Sequence, residues 1–309
     1  MIKIFAQYLI FPGIVFSFLI GAMGFWLERK LTARFQYRIG PPWYQNFIDV
    51  TKLFLKETIL PKDASRMMFM LSPIVSLSAT ALVCIILANN YFLNRSFLGD
   101  IIVVLYLLLI PSLFTILGAL SSKNPLALVG AAREIKLMLA YEFVFITCLI
   151  IAIVKSGNSV MLSDITGLQI LNKPNIISFS GAIAVLLSIF YVQAKLCIVP
   201  FDAAEAEQEI MAGTVIEYSG PLLGFYKISK LMLYFSLPLF IISLFIKIRT
   251  QTTFERYLVF FLIYILIIFV MSVIKNINPR MRIKDAVQFF WFLLFPLGIL
   301  GIILAQLGL

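Results

Sequence analysis

"KLMLAYEFVFITCLIIAIV", residues 136 to 154, carries a single charged side chain, Glu142, between the lysines at 136 and 155. About 20 apolar residues are needed to cross the hydrocarbon core of a bilayer, so this stretch reads as a transmembrane helix. A carboxylate at that depth costs at least a few kcal/mol unless it is paired or neutralised, and such residues commonly line proton or ion paths. Glu142 lies six residues, about 9 Å, beyond Lys136, with no other charged group before Lys155. The alternative is a structural Glu–Lys pair.

The rest of the chain agrees with a membrane setting. Its 309 residues are 61% hydrophobic and 13% charged, with a mean hydropathy of +1.01, whereas soluble domains carry about 25% charged residues. Seven further apolar runs of spanning length fall at 4–27, 67–89, 100–121, 176–194, 217–246, 257–274 and 287–308. The expected fold is an all-α integral membrane protein with eight transmembrane helices, forming a single polytopic domain over 1–309. The run at 217–246 is longer than a bilayer needs, and a tilted helix whose first turns border a cytoplasmic cavity fits it best. The run 4–27 is too long for a signal h-region and ends in "ERK", so it is expected to remain as a span.

Between the first two runs, Trp43, Phe47, Val50 and Phe54 recur at helical spacing, flanked by Ile48 and Leu53, with Asp49, Lys52, Lys56 and Glu57 elsewhere. This pattern predicts an amphipathic helix lying in the membrane interface, or else packed on a soluble partner. Of the 25 Lys and Arg residues, 16 lie in the connections after helices 1, 3, 5 and 7, seven lie on the opposite side, and Lys227 and Lys230 fall inside a span. The positive-inside rule then places loops 28–66, 122–135, 195–216 and 275–286 in the cytoplasm and both termini outside. The net charge of +10 therefore reports topology rather than nucleic-acid binding. There is no His, which removes the commonest metal ligand. Cys84, Cys148 and Cys197 form no metal-binding spacing, so no redox centre or metal is expected in this chain.

The charged residues concentrate in three places. "VPFDAAEAEQEIMAGTVIEYSGP", 199–221, holds Asp202, Glu205, Glu207, Glu209 and Glu217, five of the 15 acidic residues of the whole chain, with no basic residue among them. Asp202 with Glu205 three residues on has the form of a capping box. Glu205 and Glu209, at i and i+4, would share a face and repel, which points instead to a docking surface or a proton-accepting funnel. "AAREIKLMLAYEFVF", 131–145, adds Arg133, Glu134 and Lys136 ahead of Glu142, with Glu134 read as an acid at a helix start. "WLERKLTARFQYRIGPPWYQ", 26–45, brings Glu28, Arg29, Arg34 and Arg38 to a Gly-Pro-Pro turn, suited to delivering arginines beside the acidic stretch, since Arg bridges carboxylates bidentately.

Together these clusters resemble one family across the whole chain: subunit 1 (H-type) of respiratory complex I and its counterpart in energy-converting membrane-bound [NiFe] hydrogenases. "ERKLTARFQYRIGP" is similar to the family's first cytoplasmic loop, "FDAAEAEQEIMAGTVIEYSG" to its acidic signature loop, and "AYE" at Glu142 to its helix-4 glutamate motif. "RIGPPWYQNFIDVTKLFLKE", "EYSGPLLGFYK" and "RIKDAVQFFW" depart from the quinone-reducing members and look closer to the hydrogenase side or to a sulfane-sulfur reductase. The resemblance implies a membrane-anchoring, energy-coupling subunit of a redox-driven ion pump in a prokaryotic cytoplasmic membrane. Its partners would be hydrogenase-like large and small subunits, an iron–sulfur subunit and antiporter-like membrane subunits, which would hold iron–sulfur clusters and a Ni-Fe centre. Glu142, Glu134, Asp202, Glu205, Glu207, Glu209, Glu217, Lys136 and Lys227 would form the ion path, with Glu28, Arg29, Arg34, Arg38 and Arg133 facing partners or bridging loops. Two alternatives stay open: the quinone-site subunit of an NADH:quinone oxidoreductase, and a stand-alone secondary transporter.

Overall fold

The structure, a computed structural model, describes residues 7–171, 173–250 and 252–309, with Glu207 and Gln208 described by their backbone alone. Its helices are α1 (Ile14–Phe35), α2 (Gln45–Leu55), α3 (Arg66–Leu93), α4 (Asp100–Ser122), α5 (Pro125–Lys155), α6 (Leu162–Leu171), α7 (Phe179–Lys195), α8 (Glu207–Ile210) and α9 (Gly220–Phe245). Then come α10 (Thr253–Ile277) and α11 (Ile283–Gln306). Among the described residues seven helices are long and apolar enough to cross a membrane, and α7 is apolar but shorter. The eight apolar runs of the sequence are all found, making this a multi-pass membrane protein.

The bundle is organised around α9. A helix that is apolar on every side belongs in the interior, and from Leu231 to Phe245 every residue of α9 is buried. Helices α1 and α3 pack directly on it. Small and hydroxylated residues permit and reinforce this packing, as they do generally between helices in lipid. Ser76 and Thr80 of α3 lie 3.1 and 3.2 Å from the Ser229 hydroxyl of α9. A second layer is formed by α5, α7 and α11.

Several expected boundaries change. Some charged residues read as loop, Glu28 and Glu134 among them, are buried within the protein and remain helical. Helix α5 begins at Pro125, capped by the Asn124 side chain, which accepts from Leu126 N. The expected loop 122–135 therefore shrinks to Lys123–Asn124, and Glu134 stands well inside a helix rather than at its start. Helix α1 runs on through Glu28, Arg29 and Arg34, so the first loop starts at Gln36 rather than at 28. The interfacial helix is Gln45–Leu55, shorter than the pattern 43–61. It turns Val50 and Asn46 inward and sets Phe54 against Phe225 of α9, with ring centroids 5.5 Å apart. Trp43, Tyr44, Ile48 and Leu55 stay exposed.

Candidate functional site

The acidic stretch is not one helix. It is a folded loop containing a 3-10 turn at Asp202–Ala204, the single turn α8, and another 3-10 turn at Gly213–Val215. Neither Asp202 nor Ala206 caps a helix with its side chain, so the capping box is not formed. Tertiary contacts prevail over the local signal. Phe201 is fully buried, with its ring 5.0 Å from that of Phe290 in the π-helical turn of α11. Met281 N donates to Pro200 O at 3.1 Å. At the far end the loop lies backbone to backbone on α5: a Cβ on Gly130 would fall 2.9 Å from Gly213 C and Thr214 N. Gly213 itself has φ +53°, and a Cβ there would meet Ala204 O at 2.1 Å.

Every carboxylate of the loop whose side chain is described meets a group from another element. Asp202 pairs with Arg280 (2.6 Å), Glu205 with Lys230 of α9 (2.7 Å) and Glu209 with Arg133 of α5 (2.6 Å). Glu217 accepts from the Asn124 amide, tying the end of the loop to the cap of α5. Burial pushes the Asp202 carboxyl above its ordinary value, more strongly than Arg280 draws it down. The side chain of Glu207 lies outside the described residues.

A cavity of about 500 Å³ opens beneath α2 and reaches into the bundle. Asp49 and Lys52 line it from α2, Lys56 from just beyond its end, Lys227 and Lys230 from α9, Glu205 from the acidic loop, and Glu134, Lys195 and Cys197 at the inner wall. Lys227 donates to Asp49 at 3.3 Å and Lys230 to both oxygens of Glu205 at 2.9 and 2.7 Å. Glu134 is buried, feels the charges of Glu205, Lys195 and Lys230, and receives the Cys197 thiol at 3.6 Å. Burial raises that thiol well above its usual value, with Glu134 and Glu205 adding to the shift, so it remains a proton donor.

The innermost group is Glu142, two turns and about 12 Å further along α5 than Glu134. Its Oε1 accepts from the Lys195 ammonium at 2.6 Å, the two side chains being 9% and 0% exposed. The ammonium also stands 5.2 Å from the centre of the Tyr141 ring. Oε2 of Glu142 is buried with no hydrogen-bond partner among the described residues. Two desolvated charges repay their burial only when their remaining hydrogen-bonding capacity is met, and here it is not.

Three placements differ from the expectation. Lys136 is exposed and does not pair with Glu142; Lys195 does. Arg34 and Arg38 are exposed, and it is Arg133 and Arg280 that reach the acidic loop. Glu28 does not face outward: it is 1% exposed and accepts from Lys275 of α10 at 2.7 Å. Arg29 lies 3.4 Å from Asn46 Oδ1. Sequence reasoning therefore missed Lys195, Lys230, Lys275 and Arg280 as partners. Lys195 had a signal, as the only charged residue of α7. No group of three or more His, Cys, Asp or Glu side chains converges among the described residues in a way that could hold a metal ion.

Fold and site together define a polytopic membrane subunit whose ionisable groups run from a folded acidic loop to the middle of the bundle. By comparison with known proteins, the chain belongs to the NADH dehydrogenase family, whose model matches residues 8–306. It is 31% identical over 299 residues to the H-type subunit of the NADH-quinone oxidoreductase of Geobacillus sp. (strain WCH70), covering 92% of this chain and 88% of that protein. Identity to the corresponding subunit of Dehalococcoides mccartyi (strain CBDB1) is 30% over 310 residues, covering 96% and 85%. The structure resembles a chain of the membrane-bound sulfane sulfur reductase, an archaeal respiratory membrane complex, with a TM-score of 0.89 and 27% identity over 98% of this chain and 99% of that one.

Proposed function

We propose that this chain is the membrane-anchoring and energy-coupling subunit of a redox-driven ion-pumping respiratory complex, and that Glu205, Glu134 and Glu142 carry the coupling. One observation supports this above the others: acid and base alternate from the loop inward, with Glu205, Lys230, Glu134 and Lys195 on the cavity wall and Glu142 behind it, paired to Lys195. A negative charge arriving in a peripheral arm above the loop raises the proton affinity of Glu205. Protonated Glu205 releases Lys230, whose ammonium then turns to Glu134. That draws on Lys195, and Glu142 becomes free to pass a proton or sodium ion sideways to antiporter-like partners. Redox centres, iron–sulfur clusters with or without Ni-Fe, belong to partner subunits in this reading. The likeness to a sulfane sulfur reductase complex and the names of the relatives support it.

Purifying the native assembly through a tag on this chain tests the proposal. Co-purifying soluble subunits with iron and labile sulfide are expected, and nickel would specify the hydrogenase type. A metal-free, monodisperse chain that transports a solute alone would overturn it. A second reading, a quinone head bound in the cavity, is favoured by the volume of about 500 Å³, within the ~300–1,000 Å³ usual for small-molecule sites, and by relatives named NADH-quinone oxidoreductase subunits. Quinone reduction by the purified assembly separates the two.

A further inference from the structure

At the end of the bundle away from the acidic loop lies a second cavity, of about 730 Å³. It forms where four parts of the chain converge: the end of α5, α6, the connection leading into α7, and the end of α11. Its polar lining is Lys155, Lys173, Asn175 and Ser178, and none of the residues lining it is acidic. Lys155 donates to the Ser178 hydroxyl. The same Ser178 caps α7 by accepting from Gly181 N, so the partial positive charge of that helix end also faces this region. Neither lysine takes part in an ion pair among the described residues. The nearest acid in sequence, Asp164, is engaged by the hydroxyls of Ser159 and Ser163.

The surroundings are apolar. Val154, Leu168 and Ala305 line the wall, and Leu171, Ile177 and Phe179 beside it are 77%, 66% and 77% exposed. Exposed side chains of that kind next to lysines at the ends of spans belong at the level where headgroups meet acyl chains, since Lys keeps its ammonium at the interface while its stem stays in apolar surroundings. A small soluble anion would satisfy the lysines but gain nothing from the walls. An anionic lipid satisfies both.

We propose that this cavity is a binding site for the phosphate headgroup of an anionic glycerophospholipid, held by Lys155 and Lys173, with its acyl chains on the outer surfaces of α5, α7 and α11. The Ser178 hydroxyl, which donates to Asn175 O at 2.7 Å, positions Lys155 rather than the phosphate. The role assigned is a structural lipid at the edge of the subunit, independent of the coupling path.

The test uses the intact assembly in mild detergent, with bound lipid counted by native mass spectrometry after addition of phosphatidylglycerol, phosphatidylcholine or inorganic phosphate. Phosphatidylglycerol is expected to be retained at one more copy than phosphatidylcholine. Each lysine near an anionic lipid is worth about fivefold in affinity, so Lys155→Gln with Lys173→Gln should weaken that copy about thirtyfold. Lys155→Arg with Lys173→Arg should keep it. Should Lys155→Gln prevent assembly, Lys173→Gln alone, at an exposed residue, should still give the fivefold loss. The assignment is overturned if retention is unchanged in the Gln variants or if phosphatidylcholine is held as tightly. Displacement of the lipid by inorganic phosphate alone would show a soluble-anion site and overturn it as well.

Discussion

Replacing Lys195 with Met leaves the Glu142 carboxylate, 9% exposed, without the one cation that pairs with it among the described residues. Removing one member of a buried ion pair costs about 3–5 kcal/mol, while replacing both by apolar groups of similar size is often neutral or stabilising. At about 2 °C per kcal/mol for a chain of this size, the lower end of the usual scaling, Lys195→Met should lower the thermal midpoint of the assembled complex by about 6–10 °C. Lys195→Met with Glu142→Leu should recover the midpoint to within about 2 °C of the parent. The assay is survival of the complex in size-exclusion chromatography after graded heating, followed by reconstitution into vesicles to read ion-gradient formation. Stability should return in the double variant and gradient formation should not. A single variant as stable as the parent would refute the buried pair, and a double variant that pumps normally would refute its role in coupling.

Three further outcomes follow from the same geometry. Glu209→Gln breaks a pair in which the Glu side chain is 63% exposed, so it should cost less than about 1 kcal/mol and leave assembly intact, whereas Glu205→Gln should cut gradient formation in vesicles more than electron transfer. Gly130→Val places side-chain atoms where the backbone of Gly213 and Thr214 stands at 2.9 Å, and should destabilise the loop by about 1–3 kcal/mol, read as faster proteolysis within 202–217. Lys247, outside the spans and 3% exposed, has its ammonium lowered to about 7, chiefly by burial and then by Arg256. Between about pH 7 and the ordinary lysine value near 10.4, the unfolded chain therefore holds the extra proton and stability rises with pH. The thermal midpoint should climb from pH 7 to 9 in the parent and less steeply in Lys247→Met.

The spans were legible because length and hydropathy alone demand them, whereas the central place of α9 was not, since Lys227 and Lys230 interrupt its first half. Glu142, Glu134 and the acidic loop stood out because carboxylates in apolar surroundings are costly. Their partners did not stand out. Lys195 is 53 residues from Glu142 and Lys275 is 247 from Glu28, and a charge known only by its side of the membrane carries no information about which helix it faces. Lys136, though nearer in sequence, does not face Glu142, because two residues six apart on a helix point in widely different directions. The capping box failed because Phe201 and Arg280 hold the loop from outside it.

The coupling role rests most directly on Glu142, and the ratio of ions moved to electrons transferred in vesicles bearing Glu142→Gln tests it. Gln keeps the shape and can still accept from Lys195, so the complex should assemble and electron transfer should continue. The ratio should fall at least about tenfold, because the ionisable group in the middle of the path is gone. An unchanged ratio at normal electron transfer would show that Glu142 serves only to hold α5 to α7.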